Sequence, residues 1–276
     1  MTKCGLMMVS VLALVGGSVS HGAATPPVTS KLFAAYDATD VSVTDSGGTL
    51  LVDSLNDQAS GGGDASVADN AVAAGGLRPT LVTANTGNGN HSVIDFDGSQ
   101  TLATAAFDGG EIGRTNTIFI VASRDSGPNS FLVDGISNGK RHAVFTRSNG
   151  THAIFGGSQI INNGATASLG EFEVYTAIFS SSASQSQLRI NGTKVVGSGN
   201  TGSDLLSGLQ VGAQAGGGGS RLDGQIAEIL VYNGGLNTAQ IESIEGYLAD
   251  KYINPVPEPM GTAVLGLGGL MLMRRR

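Results

Sequence analysis

Residues 188–196 read Leu188-Arg-Ile-Asn-Gly-Thr-Lys-Val-Val196 and predict a β-hairpin. Asn191 and Gly192 take the two central positions, where a type I′ turn requires positive φ angles that Asn and Gly adopt most readily. Aliphatic and β-branched residues flank the pair on both sides, as is typical of strands. Four further pairs of this kind separate apolar runs and are predicted to be turns: Asp97-Gly98, Asp134-Gly135, Asn149-Gly150 and Asp223-Gly224.

The stretch Thr117–Ala122 is apolar throughout, which predicts a central strand whose two faces are both covered. Around it, short strand-like runs alternate with turn signals from residue 28 to residue 254, and we see no fixed repeat in that block. An all-β block of this length is too large for an immunoglobulin domain and suits a two-sheet jelly-roll sandwich.

One amphipathic helix is predicted near the end of this block. Asn237 or Thr238 provides an N-cap, and Gln240 stands at the capping-box position relative to Asn237. Ile241, Ile244 and Leu248 then recur at helical spacing on one face. We expect this helix to lie across an edge or an end of the sandwich.

Composition excludes several classes of protein. The chain has 276 residues with 43 Gly, one Cys, no Trp and a formal net charge of −7. A single Cys excludes a disulfide scaffold and a thiolate metal cluster. The negative charge argues against nucleic acid as a partner, because phosphate binding requires a basic face.

The block from residue 28 to 254 resembles the LamG-like, concanavalin A-like jelly-roll domains. The resemblance is carried by Leu55-Asn-Asp-Gln-Ala-Ser-Gly61, Arg78-Pro79, Phe96-Asp-Gly98, the strand Leu222–Tyr232 and the helix end Ile244–Leu248. Leu55 stands where this family has Trp. The resemblance implies an all-β, two-sheet sandwich, and it leaves the function open because this architecture hosts lectins, hydrolases and adhesive modules.

The first 24 residues are predicted to be a secretory signal peptide. Lys3 supplies the positive start, Leu6–Val15 is apolar, and the small residues that follow predict cleavage between residues 22 and 24. Cys4 lies within the signal, so the mature chain is expected to contain no cysteine.

The last 22 residues, 255–276, have a three-part order. Pro257, Glu258 and Pro259 are followed by an apolar run at Met260–Met273 and then by Arg274, Arg275 and Arg276. This tail resembles the PEP-CTERM sorting signal of bacterial exported proteins. The resemblance implies an exosortase-type membrane enzyme as partner and cleavage near Pro-Glu-Pro. The apolar run is expected to form a short helix of about 21 Å, less than the roughly 30 Å of a bilayer core, so it suits a transient membrane anchor.

Processing makes the protein more acidic. Without Lys3 and the three terminal arginines, 11 basic residues remain against 22 acidic ones, a net charge of about −11, or −10 if Glu258 also leaves. Such a surface repels acidic polysaccharide unless a divalent cation bridges the two.

The sequence offers little catalytic chemistry. Jelly-roll glucanases carry alternating acids on one strand, and Glu171-Phe-Glu173 lacks the third of them. Glu228 is a lone acid in an apolar strand, and His142 and His152 have no zinc-binding string around them. The prediction is therefore a protein that is not an enzyme.

Calcium is the cofactor that the pattern favours, because hard oxygen ligands from loops suit this ion. The candidate ligands are loop aspartates, each of which also has an explanation as a turn-forming residue: Asp57, Asp64, Asp97, Asp134 and Asp223.

These observations lead to three functional hypotheses. The first is an exported, non-enzymatic protein of the cell surface or extracellular matrix, with a structural or adhesive role linked to exopolysaccharide and with polysaccharide or matrix proteins as partners. The second is a calcium-dependent carbohydrate-binding module, although the lack of Trp removes the best sugar-stacking residue. The third is an unusual polysaccharide hydrolase.

Overall fold

The computed structural model describes residues 25–59, 69–73, 77–126, 129–166, 168–182 and 185–255, with the backbone alone for 161–166. These residues form sixteen strands and one α-helix, and every strand pair is antiparallel. The predicted signal peptide, Asp64 and the sorting tail with its apolar run lie outside the described residues. The strands are β1 Leu32–Ser46, β2 Thr49–Asp57, β3 Ala71–Ala73, β4 Thr80–Asn85, β5 Asn90–Asp97, β6 Leu102–Ala103, β7 Asn116–Arg124, β8 Ser130–Gly135, β9 Ala143–Thr146, β10 Thr151–Phe155, β11 Gln159–Thr166, β12 Glu173–Phe179, β13 Ser186–Ile190, β14 Thr193–Gly199, β15 Leu209–Val211 and β16 Asp223–Asn233, and the helix is α1 Thr238–Tyr252.

The strands form a β-sandwich. One layer, which we call the helix-side layer, places β7 and β16 at its centre, with β12, β13 and β14 beyond β7 and with β5 and β4 beyond β16. The opposite layer runs β11-β10-β9-β8-β15-β6-β3-β2. The long strand β1 pairs with β16 at its beginning and with β2 along its remainder, so it bends from one layer to the other. The prediction of an all-β sandwich with one amphipathic helix is confirmed.

The core lies between the two layers. Ile118 and Ile120 of β7 pack in one buried cluster with Val144 of β9 and Ile154 of β10. Burying aliphatic side chains from both sheets supplies the main stabilisation of such a sandwich, at about 25 cal/mol for each Å² of apolar surface removed from water.

Every residue of β7 is buried, because both faces of this strand are covered. Its inward residues face the opposite layer, whereas Phe119 and Val121 belong to a second cluster with Ile244 and Leu248 of α1. The helix therefore lies on the outer face of the helix-side layer. The expectation that it crosses an edge or an end was wrong, because the outward side chains of β7 and β16 are large and apolar and require a cover.

The helix begins as the sequence predicts. The Asn237 side chain accepts a hydrogen bond from the Gln240 backbone N–H at 2.9 Å, and the Gln240 side chain accepts one from the Asn237 N–H at 3.0 Å. This capping box satisfies donors that the first turn leaves without helical partners.

The hairpin at residues 188–196 is confirmed, with φ of 48° at Asn191 and 74° at Gly192. Two other predicted turns were wrong. Asp134-Gly135 closes β8, and Asp223-Gly224 opens β16, so both pairs lie in strands. At Gly224 the glycine serves a close approach, because a Cβ there would collide with the Ser123 carbonyl of β7.

Several strands were missed or predicted too short. β11, at Gln159–Thr166, is largely polar, and β3 and β6 have only three and two residues. β1 continues ten residues beyond Tyr36 through a mostly exposed polar segment. Period and hydrophobicity carry little signal in such elements, because tertiary pairing rather than local preference makes them strands.

Among the described residues, no helix is both long enough and apolar enough to cross a bilayer.

Candidate functional site

Two of the predicted calcium ligands, Asp97 and Asp223, meet as register partners across β5 and β16. Each carboxylate is already used locally. Asp97 Oδ1 accepts hydrogen bonds from the Ser99 N–H at 2.9 Å and the Ser99 hydroxyl at 2.6 Å, and Asp223 accepts one from the Ser126 hydroxyl. The hydrogen bonds from Ser99 lower the Asp97 pKa. These two aspartates therefore shape the loops at one end of the sheet.

Asp134 is buried and fully occupied. It receives two charged hydrogen bonds from Arg141 to Oδ2, at 3.0 and 2.6 Å, and backbone N–H donors from Gly135 and Ala215. Desolvation raises the Asp134 pKa, although the arginine and the N–H donors oppose that shift. An ion pair with this many donors leaves little of the carboxylate for a metal.

Asp57 is the aspartate that most resembles a metal ligand. Its Oδ1 accepts from the backbone N–H groups of Ala35 at 2.8 Å and Ala59 at 3.0 Å, whereas Oδ2 is buried without a hydrogen-bond partner among the described residues. Burial, with smaller effects from Asp69 and Asp108, raises the Asp57 pKa to about 6.

The described residues nevertheless do not form a calcium site. No group of three or more acidic, His or Cys side chains among them is arranged to hold a metal. Calcium takes six to eight oxygen ligands, far more than the single unpartnered oxygen of Asp57 provides. The sequence prediction of calcium thus gains no support from the residues that the structure describes.

A buried ionic network lies beneath the last turn of α1. The Lys251 ammonium donates to Asp37 Oδ2 at 2.6 Å and to Glu228 Oε2 at 2.7 Å, and the Tyr252 hydroxyl donates to the same Glu228 oxygen at 2.9 Å. Asp37 and Glu228 are paired residues of β1 and β16, and each is only 4% exposed. The network therefore ties the helix to two strands of the helix-side layer.

This pair of carboxylates is arranged for structure rather than for hydrolysis. Burial raises the Glu228 pKa, whereas burial at Asp37 is outweighed by the ammonium and the Thr39 donors, so the Asp37 pKa is lowered. A glycosidase needs its two carboxyl groups on either side of the scissile bond, with space for the sugar between them. Here a lysine side chain fills the space between the two groups.

The two buried histidines belong to the core. His142 Nδ1 lies 2.9 Å from the Asn116 amide, Nε2 lies 3.0 Å from the Asp204 carbonyl, and the ring stacks on Phe179. Burial lowers the pKa of His142 and of His152 to about 4 in each case, so both rings are neutral near pH 7. A neutral ring held by two protein groups is a packing element.

A cleft of about 350 Å³ opens beside the N-terminus of α1. Its floor is formed by three neighbouring strands and consists of Ile178 on β12, Gln187 on β13 and Ser198 on β14. Ile178 and Gln187 are register partners. The walls come from the connection before α1, from the first turn of α1 and from the loops that flank β7 and β13. The remaining lining residues are Thr115, Asn116, Thr117, Phe179, Ser180, Gln185, Gly235, Leu236, Thr238 and Ile241.

The lining of the cleft is uncharged, since none of these thirteen residues is Asp, Glu, Lys, Arg or His. Hydroxyl and carboxamide groups alternate with the aliphatic surfaces of Ile178, Leu236 and Ile241. Each carboxamide both donates and accepts hydrogen bonds, as does each hydroxyl. Such a surface matches a ligand that presents hydroxyl groups together with apolar C–H faces.

Phenylalanine side chains also lie on the outer face of the opposite layer. Phe131 and Phe145 stack on each other with ring centroids 4.4 Å apart, and Arg141 lies over the Phe155 ring at 4.6 Å. Because each ring already has one face covered by a protein group, this patch is a poorer stacking platform than an open indole.

The comparisons with known proteins identify the type of domain. Residues 110–242 match the concanavalin A-like lectin/glucanases superfamily. The match covers the helix-side strands β7, β12, β13, β14 and β16, most of the opposite layer and the start of α1. It confirms the predicted family for this part of the chain, whereas the motifs at residues 55–98 and the sorting tail lie outside it. No curated protein sequence matches the chain.

Solved structures with similar folds have low sequence identity. A Trypanosoma rangeli sialidase in complex with sialic acid aligns with a TM-score of 0.51 and 15% identity over 84% of this chain, which spans only 35% of the sialidase. Domain 4 of AbnA, a GH43 extracellular arabinanase from Geobacillus stearothermophilus in complex with arabinotriose, aligns with a TM-score of 0.50 and 12% identity over 78% of this chain and 98% of that domain. The Botulinum neurotoxin serotype D binding domain aligns with a TM-score of 0.53 and 12% identity over 83% of this chain and 55% of its own length. At such identities the likeness concerns the fold alone.

Replacement of Lys251 tests the ionic network. We expect Lys251→Met to lower the free energy of unfolding by about 3–5 kcal/mol at pH 7, because two buried carboxylates lose their shared cation. The loss should shrink as the pH falls, since protonation then neutralises the two acids. Chemical denaturation measures the effect, with Lys140→Met as control, because the exposed pair of Lys140 and Glu111 contributes about 1 kcal/mol or less. Equal losses in the two variants would contradict the assignment.

Asp57 predicts a specific pH dependence of stability. Because its folded pKa of about 6 lies above the ordinary value of 3.8, the native state retains a proton that the unfolded chain has lost between these pH values. Ionisation of Asp57 therefore lowers the free energy of unfolding as the pH rises from about 4 to about 6. Thermal unfolding of Asp57→Asn should show a smaller loss across that range than the parent protein, whereas Asp45→Asn at the exposed end of β1 should follow the parent. Parallel curves for all three proteins would rule out the assignment.

Proposed function

We propose that this chain is an exported, non-enzymatic protein that holds polysaccharide at the cell surface or in the extracellular matrix, with a structural or adhesive role. The uncharged cleft beside α1 carries this proposal. Its hydroxyl and carboxamide groups are set among aliphatic side chains, a lining that suits sugar rings. The concanavalin A-like domain at residues 110–242 adds support, because the description of that superfamily names lectins and glucanases.

The non-enzymatic part of the proposal rests on how the acids are engaged. The buried pair Asp37 and Glu228 shares Lys251, and Glu173 accepts a hydrogen bond from the Tyr175 hydroxyl at 2.7 Å. Neither arrangement leaves an acid and a nucleophile facing each other across a substrate cleft. The 350 Å³ cleft itself has no carboxylate in its lining.

The proposed location rests on the two ends of the sequence. The signal-like N-terminus predicts export, and the Pro-Glu-Pro, apolar and arginine segments of the C-terminus predict an exosortase-type partner with transient anchoring by residues 260–273. A mature net charge of about −10 to −11 suits a soluble surface protein.

Binding and turnover measured on the same samples test the central proposal. We expect the mature protein to bind a soluble polysaccharide in affinity electrophoresis and calorimetry, and to release no reducing ends from it. A chelator separates the alternative of a calcium-dependent module, because that module would lose binding in EDTA and regain it with Ca²⁺. Release of reducing ends that a single Asp or Glu substitution abolishes would instead favour a hydrolase.

Mass spectrometry of the protein exported by its own host tests the proposed location. We expect the mature chain to begin within residues 23–25 and to lack Arg274, Arg275 and Arg276, because both signals would have been removed. Exported protein that retains the arginine cluster would contradict sorting by the C-terminus. A variant in which Pro257, Glu258 and Pro259 are replaced by Ala should retain the cluster and stay in the membrane fraction.

A further inference from the structure

The lining of the cleft beside α1 also indicates which class of polysaccharide would bind there. We infer that it selects uncharged glycan chains over acidic ones and that it does so without calcium. This inference rests on the proposed function and adds the ligand class at the same cleft.

The lining of the cleft favours a neutral ligand on electrostatic grounds. A polyuronate or a sulfated chain carries anionic groups that require a cation or several N–H donors when they are removed from water. None of the thirteen lining residues supplies a charge. A neutral sugar carries no such requirement, since its hydroxyl groups exchange hydrogen bonds with water for hydrogen bonds with amides and hydroxyls.

Two lysines contact residues of the cleft lining. Lys194 donates to Ser198 Oγ at 2.8 Å, and Lys31 donates to the Gly235 carbonyl oxygen. Each ammonium is therefore already hydrogen-bonded to a lining residue, Ser198 on the floor and Gly235 on the wall. The overall charge expected for the mature chain, about −10 to −11, outweighs these two lysines and repels an anionic chain at low ionic strength.

Several polar groups of the lining remain available for a ligand. Gln185 and Thr238 are exposed and Gln187 is half-buried, and none of their side chains is hydrogen-bonded to another described residue. Other lining side chains are engaged, since the Thr115 hydroxyl donates to Ser181 and the Asn116 amide donates to the Gly113 carbonyl. The available groups lie on three elements around the floor, namely the loop before β13, β13 itself and the first turn of α1.

The floor of the cleft has the shape of a short row across the strands. Ile178 and Gln187 are register partners on neighbouring strands, and Ser198 lies on the next strand, so the floor crosses three strands spaced about 4.8 Å apart. The row is therefore about 10 Å long, with an aliphatic group, a carboxamide and a hydroxyl in sequence. An extended chain of sugar rings contacts such a row through C–H faces and hydroxyl groups in turn.

Gln187 is the residue that tests this inference, because it stands in the middle of the floor. We would titrate the mature protein with dextran as a neutral chain and with alginate as a polyuronate, each in EDTA. The parent protein should bind dextran at least tenfold more tightly than alginate. Gln187→Ala should weaken dextran binding about tenfold, which corresponds to the loss of one or two hydrogen bonds, and Gln187→Lys should increase alginate binding.

The controls separate the site from the rest of the surface. Gln159→Ala changes an exposed carboxamide on β11 of the opposite layer and should leave both affinities unchanged. Lys194→Met should leave dextran binding intact, because the neutral chain needs no cation. Circular dichroism and thermal unfolding of each variant show whether it is folded.

The outcomes distinguish this inference from the proposed function. Alginate binding equal to or tighter than dextran binding, and weakened by Gln187→Ala, would overturn the neutral class while polysaccharide binding at the cleft stands. Dextran binding that Gln187→Ala leaves unchanged would overturn the site. Binding of neither chain by the folded parent protein would overturn the inference and count against the proposed function as well.

Discussion

The ammonium group of Lys251 is the contact on which much of the molecule depends. The central strands β7 and β16 present apolar side chains on both faces, so the sandwich is complete only when α1 covers the outer one. Apolar packing stabilises the helix on this face but does little to fix its orientation, because the hydrophobic effect is not directional. Lys251 adds the direction, because its two short ion pairs fix the last turn of α1 over Asp37 and Glu228. The capping box fixes the other end of the helix, and the cleft lies beside that end.

The acidic side chains have several different structural roles. Asp97 closes a turn, Asp134 binds a buried arginine, and Asp37 and Glu228 share a lysine. Asp57 has a buried oxygen without a partner among the described residues. In a chain with 22 acidic and 15 basic residues, most buried carboxylates of the described residues still find a donor.

Much of the fold follows from local sequence, and the site does not. Asn191-Gly192 predicts its hairpin because few residues tolerate positive φ, and Asn237 with Gln240 predicts the start of the helix because the capping box is a local motif. Asp134-Gly135 and Asp223-Gly224 have the sequence of turn pairs but lie in strands, because each glycine allows a close approach of neighbouring backbone. The cleft joins Thr115, Gln187, Ser198 and Leu236, which are distant in sequence and ordinary in type. Only the register of β12, β13 and β14 against α1 brings them together.

The bending of β1 and β2 from one layer into the other affects how much sheet edge the molecule exposes. It joins the described strands into one hydrogen-bonded path whose two ends are β11 and β14, and these end strands lie against each other. Exposed sheet edges are where β proteins add strands from other copies and aggregate. The contact between β11 and β14 therefore leaves less of these two edges open to strand addition from another molecule.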